Sequence, residues 1–382
     1  MTTPELTPDQ AKTVLRQQIL AQSTLTGYAR YIDIPGVPDD EDVDDRQYRV
    51  VETPLAVHHI FMLNILQLMV QGLLFYNQQM EGLIGYRVMR GEAPETEEET
   101  IIAGVLSGRI SSLDALSLLG KIPGFSQCKR VMIMLPPGSA KSTYASVVFP
   151  TWVMGQTKAF EVILTGWGDP ICRRHGKRAR QICASPQFNA LFGTGLDPNT
   201  RAAEDWSLKN NSSYKSSGIQ SGVAGFRTHG LVWDDLTKNR KEADSQTIRD
   251  DVYNAYIDDA RSRKTPTAWE VGIGTRWHED EIMGRILPEG YNGESGFMEC
   301  RDGNVWYVIC MAAECEVDDD PLGREKGEMI WPEWFDEGYW AEKRRVPRSW
   351  GSLYQQRPAP EEGIVFKKEY FKTYHTEPEG DY

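Results

Sequence analysis

The chain has 382 residues, a net charge of −13 and 40% hydrophobic residues, which suits one to three domains with ample core. The acidic balance argues against a protein that merely coats DNA, though it leaves room for positive charge concentrated on one face. Six scattered cysteines without a Cys-x-x-Cys pair argue against zinc and disulfide frameworks and favour a reducing compartment.

Thr7-Pro8-Asp9-Gln10 predicts a capping box opening an N-terminal helix, with Val14, Leu15 and Ile19 on one side. No signal-peptide pattern opens the sequence. Residues 36–47, rich in Pro and Asp, predict a loop. Residues 55–76 predict a long buried helix. His58, His59, Asn64, Gln67 and Gln71 interrupt its apolar stretch, which argues against a membrane span. The Glu-rich run at 92–99 predicts solvated surface.

An apolar run at 130–135 predicts a buried strand that stops at Pro136-Pro137. The small-residue turn Gly138-Ser139-Ala140 leads into Lys141-Ser142-Thr143, and a helix is expected through Ala145, Val147 and Val148. Strand, tight turn, Lys-Ser/Thr and helix is the pattern of a P-loop, in which backbone N–H groups and the helix dipole attract phosphate. Pro137, Gly138, Ser139, Ala140, Lys141, Ser142 and Thr143 are the expected phosphate-binding stretch. Lys141 is expected to reach the β- and γ-phosphates of ATP, and the Ser142 hydroxyl to ligate Mg²⁺. Leu135 and Ala140 stand where the usual pattern has glycine. An ordinary strand-to-helix turn with a surface lysine is the competing reading.

A second strand is expected at 160–165. Asp169-Pro170 predicts a helix with the Asp169 carboxylate as cap and proline in the first turn. Arg173, Arg174, Lys177, Arg178 and Arg180 crowd it, as a solvated face, a DNA-backbone contact or a subunit interface. Leu231-Val232-Trp233 running into Asp234-Asp235 reads as a Walker B strand lying beside the P-loop strand. Asp234 is expected in the Mg²⁺ shell. Asp235 is expected to orient and deprotonate the attacking water. Mg²⁺ offsets the repulsion between the two acids. The strand at 269–275 ends in Thr275, a candidate γ-phosphate sensor that passes its state to Arg276 and His278. A further strand is expected at 304–312.

The chain resembles the large terminase subunits of tailed double-stranded-DNA bacteriophages over about residues 50–375. The carriers are Pro-Pro-Gly-Ser-Ala-Lys-Ser-Thr at 136–143, Ser-Pro-Gln-Phe-Asn-Ala-Leu-Phe at 185–192 and Leu-Val-Trp-Asp-Asp at 231–235. Gly-Thr-Arg-Trp-His-Glu-Asp-Glu at 274–281 and Tyr-Gln-Gln-Arg-Pro at 354–358 complete them. The last two are specific, because generic P-loop proteins lack them. The resemblance implies an α/β P-loop NTPase of the ASCE or RecA-like kind, with a mostly parallel sheet flanked by helices and a helical N-terminal region. It implies an ATP- and Mg²⁺-dependent motor that moves double-stranded DNA into a procapsid in the cytoplasm of the infected bacterium. Such motors form a ring, expected to be a pentamer, on the portal protein, with a small terminase subunit that brings DNA, and no membrane is involved.

The resemblance also implies a layout. Residues 1–128 are expected as an N-terminal helical region with an insertion at about 77–127, residues 129–315 as the ATPase core, and 316–382 as an extension toward an absent nuclease domain. Only Glu377, Glu379 and Asp381 remain as scattered acids near the end, so nuclease activity is not expected of this chain alone. The family's base-contacting residues lie upstream of the P-loop, which points to 52–59 and to His59. Its trans-acting arginine lies just before the Walker B strand, which points to Arg227, with Arg178 as the alternative. A helicase-type translocase and a non-hydrolysing nucleotide-binding scaffold are the competing functions. The first requires a second RecA-like core, which is not found after residue 316.

Overall fold

A computed structural model describes residues 7–38, 48–76, 86–120, 126–222 and 225–359. The tail acids Glu377, Glu379 and Asp381, the Phe366-Lys367-Lys368 segment and parts of 36–47 and 77–127 lie outside the described residues.

Among the described residues, nine strands form one sheet. In chain order they are β1 Arg130–Met134, β2 Glu161–Gly166, β3 Leu196–Arg201, β4 Asp205–Leu208 and β5 Ser213–Gly218, then β6 Thr228–Asp234, β7 Lys264–Gly274, β8 Gly296–Glu299 and β9 Val305–Cys310. Across the sheet the order is β8-β9-β1-β7-β6-β2-β5-β4-β3. The six strands from β9 to β5 pair in parallel, and β8, β4 and β3 add antiparallel edges. Val131, Ile133, Val232 and Val271 pack into one helical layer, and Met132, Met134, Leu231 and Trp233 into the other. Burial on both faces is what a parallel sheet requires. This is the α/β P-loop NTPase fold expected from the sequence.

One expectation fails. The Walker B strand β6 does not lie beside the P-loop strand β1, because β7 runs between them. Ala268–Gly274 is buried throughout, so this segment demands neighbours on both sides. The β6–β7 pairing is also keyed by two glycines. Gly230 opposes Trp269, and Gly272 opposes Trp233. A Cβ at Gly272 would lie 2.1 Å from the Trp233 ring, and one at Gly230 would lie 2.2 Å from the Trp269 ring. Each indole lies across the bare backbone of its neighbour, one on each face of the sheet. Gly272→Ala should therefore cost about 1–3 kcal/mol by overpacking. Chemical denaturation reads this, and an unchanged midpoint would mean that Trp233 has room to move.

The strands β3, β4 and β5 were not anticipated. Their sequences are polar, and β5 buries Tyr214, Ser216 and Gly218 where the eye seeks Val or Ile.

The helix Pro8–Ser23 opens with the expected capping box. Its apolar side is not buried, however: Leu15 and Ile19 are 56% and 53% exposed. The helix docks through its last turn, where Ala21 is buried and its carbonyl accepts from Trp152 Nε1 at 3.2 Å. The second long helix is shorter than expected, Val57–Val70, and ends before Gly72, whose φ is +70°. Among the described residues no helix is long and apolar enough to cross a membrane. The Glu-rich run caps a helix, Glu97–Leu106, through Thr96 and Glu99.

The basic helix spans Asp169–Ala184, with Gly168 rather than Asp169 at its cap position. The Asp169 carboxylate instead accepts from the Gly218 amide at 2.7 Å, tying the helix to β5. Beyond β9 the chain turns back over the core. Ile330 N donates to the Ala313 carbonyl at 2.7 Å, and Trp331, Phe335 and Trp340 join the same core cluster as β1.

Candidate nucleotide-binding site

Register aligns the carboxyl ends of the central strands. Met134 pairs with Gly274, Ile273 with Asp234, and Asp234 with Gly166. The residues that follow, Leu135, Thr275, Asp235 and Trp167, therefore form one crest. Ligands in open α/β sheets sit at this end. A cleft of about 940 Å³ opens there.

The loop at 136–140 turns through two left-handed residues, Gly138 with φ +83° and Ala140 with φ +59°. Lys141 and Ser142 begin the next helix, which passes through a π segment at Thr143–Val148 before Phe149–Gln156. Lys141 is only 5% exposed, and its Nζ donates to Thr275 Oγ1 at 3.0 Å. Ser142 Oγ donates to Asp234 Oδ1 at 3.0 Å, and Ser146 Oγ to Asp234 Oδ2 at 2.6 Å. Ser146 lies one turn beyond Ser142, so the two hydroxyls share one helix face and reach the same carboxylate.

Asp235 holds φ +45°, an uncommon state for a non-glycine residue. Its Oδ1 accepts from the Thr275 amide at 3.2 Å, and its carbonyl from the Trp167 amide at 3.2 Å. Burial raises the pKa of both carboxyls, while Lys141 pulls each back down. The central strand β7 is thus what joins Lys141 to Asp235: Thr275 bonds to both.

The basic helix turns part of its charge inward. His175 Nε2 lies 3.6 Å from Asp234 Oδ2, and burial pushes its pKa down to about 3, so it is neutral. Its Nδ1 has no protein partner among the described residues. Arg178 is buried, donating from Nε to the Pro35 carbonyl at 2.7 Å and from Nη2 to Thr143 Oγ1 at 2.8 Å. Neither position is evident from sequence, because any of several helix faces could carry the basic residues inward.

His59 does not line the cleft. It is fully buried behind the loop, where its Nε2 lies 2.9 Å from the Ser139 carbonyl, and His58 Nε2 lies 3.2 Å from the same oxygen. Burial lowers His59 to about 4, so the ring is neutral. The segment Arg49–Thr53, just upstream, does line the cleft.

Arg227 is exposed at the opposite end of β6, with Nη1 donating weakly to the Ser262 carbonyl at 3.4 Å. The length of β6 puts it about 20 Å from Asp234 of its own chain.

Arg276 follows Thr275 and is fixed on all sides. Its amide donates to Gln356 Oε1 at 3.2 Å, and its Nε to Glu281 Oε1 at 3.0 Å. The Tyr-Gln-Gln-Arg segment is thereby tied to the residue after the candidate sensor. His278 makes a local contact, its Nδ1 accepting from the Asp280 amide at 2.9 Å.

No protein-family model matches this chain, and no curated protein matches it in sequence. Solved structures are similar to it in fold. The large terminase ATPase domain of Thermus phage P74-26 is 14% identical, over 64% of this chain and 97% of that one, with a TM-score of 0.40. The HK97 bacteriophage large terminase is 11% identical over 65% of this chain, with a TM-score of 0.40, and this chain spans 50% of it. The Phi-28 gp11 DNA packaging motor is 11% identical over 69% of this chain and 71% of that one, with a TM-score of 0.31. The structural neighbours are thus large terminases of phages and a DNA packaging motor, and by its own strand order and loop geometry this chain has a P-loop NTPase fold.

Proposed function

We propose that this chain hydrolyses ATP with Mg²⁺ in the cleft above β1, β7 and β6, and that the cycle drives double-stranded DNA into a procapsid. The observation that supports the reading is the convergence of Lys141, Ser142, Asp234, Asp235 and Thr275 on one crest, linked by the hydrogen bonds at Lys141, Ser142 and Thr275.

The residues suit Mg²⁺ delivered with a nucleotide. Ser142 and Asp234 are hard oxygen donors already in contact, and no group of three or more His, Cys, Asp or Glu among the described residues forms a metal cage. Phosphate oxygens and water would supply the remaining ligands, as Mg²⁺ sites of this kind use. When bound, Mg²⁺ would neutralise phosphate charge and keep the two acids ionised. Lys141 then binds the β- and γ-phosphates in place of Thr275 Oγ1. Asp235 accepts the proton of the attacking water, and Thr275, released by Lys141, reports the γ-phosphate. In this reading 129–315 is the motor core and 1–128 the helical region beside it. Residues 316–382 extend from the core, and the portal protein, the small terminase subunit and a homo-oligomeric ring are the partners.

Steady-state ATP hydrolysis with and without double-stranded DNA tests the reading. Hydrolysis stimulated by duplex DNA without strand separation is expected. Nucleotide binding with no turnover under any condition would favour a scaffold.

The position of Arg227 suits a role toward a neighbouring subunit rather than its own. Arg227→Ala should leave ATP binding by the monomer intact and remove the assembly-stimulated rate. An arginine of this kind contributes about 10³–10⁵ in turnover. Mixing Arg227→Ala with Lys141→Ala subunits should restore partial activity, since some interfaces then hold both groups. No recovery at any ratio, with assembly confirmed, would count against a trans role.

A further inference from the structure

We propose that Trp334 is the residue on which the nucleotide base stacks. The inference rests on the nucleotide reading above. Phosphates held at Lys141 and Ser142 leave the base to lie farther along the same cleft, and Trp334, Trp331, Val50 and Val51 line it together with Gly138.

Trp334 is 55% exposed, an uncommon placing for so large an apolar side chain. It is not a loose surface residue. Its ring stacks on Trp331 with centroids 5.4 Å apart and planes 22° apart. Trp331 is in turn wedged edge-on against His59 at 4.7 Å and His58 at 5.2 Å, the two rings that meet the Ser139 carbonyl of the phosphate loop. Trp331 adopts φ +54°, a state that a bulky residue rarely takes unless its surroundings impose it. Nearby, Phe335 approaches the loop itself: a Cβ at Gly138 would lie 3.0 Å from its Cζ.

The segment at 331–335 therefore shares one support with the phosphate loop. Trp331 is the backing plate and Trp334 the plate that faces the cleft. A ring held from behind loses little freedom when a base stacks on it, so stacking energy goes into affinity. Every base has a π-face, so this contact recognises a nucleobase without choosing among bases.

Calorimetric titration of the full chain with Mg·ADP and with Mg·pyrophosphate tests the proposal, because pyrophosphate has phosphates and no base. W334A is expected to weaken Mg·ADP about tenfold, and W334F to stay within about threefold of the native chain, as base–aromatic stacking predicts. Mg·pyrophosphate should bind W334A and the native chain alike. Because Trp334 is largely exposed, its truncation leaves the core intact, and circular dichroism checks this. Native affinity of W334A for Mg·ADP would overturn the stacking role while leaving the nucleotide site standing. Equal weakening of both ligands would show that Trp334 shapes the phosphate loop instead, and would also overturn it. Failure of the native chain to bind either ligand would overturn the nucleotide reading and the stacking with it.

Discussion

Lys141→Ala should abolish ATP hydrolysis and weaken nucleotide binding by about 10²–10⁴-fold, the equivalent of the roughly 3–5 kcal/mol lost when one partner of a buried charge cluster is removed. Lys141 is almost fully buried, and both Asp234 and Asp235 feel its charge. Without it the cleft would hold two acids, already disfavoured as anions by burial, and then the phosphates as well. Alanine removes the cation that lowers both acids, whereas Arg178 lowers Asp234. Arg178 does not substitute, because its Nε and Nη2 are engaged by the Pro35 carbonyl and the Thr143 hydroxyl. Calorimetry with a slowly hydrolysed ATP analogue and a phosphate-release assay check both parts. Near-native binding by Lys141→Ala would show that the loop is an ordinary turn.

Asp235→Asn should do something different: binding is retained while turnover falls by about 10²–10⁴, the usual range for a lost general base. The amide matches the carboxylate in shape, and its oxygen can still accept from the Thr275 amide. It cannot take a proton from water. An interaction used only in the transition state lowers the rate without lowering ground-state affinity. The substitution also removes one of two adjacent negative charges, so binding of anionic nucleotide is not weakened for electrostatic reasons. The left-handed backbone at 235 is well tolerated by asparagine. Retention of native turnover would remove Asp235 from the mechanism. Loss of binding together with turnover would instead place it among the residues that build the cleft.

Much of the fold was legible because its signals are local. The five strands anticipated at 130–135, 160–165, 230–234, 269–275 and 304–312 are short apolar runs, and each is a strand within a residue or two at its carboxyl end. β7 begins earlier than expected, at Lys264, because its first residues are polar and only half-buried or exposed. The capping box at Thr7 was legible for the same reason: its partners are three residues apart. Strands β3–β5 were not, because they are carried by neighbours rather than by their own apolarity.

For the candidate site the division follows sequence distance. Lys141, Ser142, Asp234, Asp235 and Thr275 were picked out from contiguous patterns, a turn before a helix or an apolar run ending in polar residues. How they meet was decided by strand order, which no segment specifies alone. The pairing of β7 with both β1 and β6 depends on Gly230 and Gly272 leaving room for the indoles of the opposite strand. Likewise, the direction in which His175 and Arg178 point depends on which helix face packs on the sheet, and Trp331 and Trp334 reach the cleft only because the chain folds back after β9. Local spacing by itself determined which residues carry the chemistry. Long-range packing decided which of them touch, since contact across the sheet is set by pairing between segments far apart in the chain.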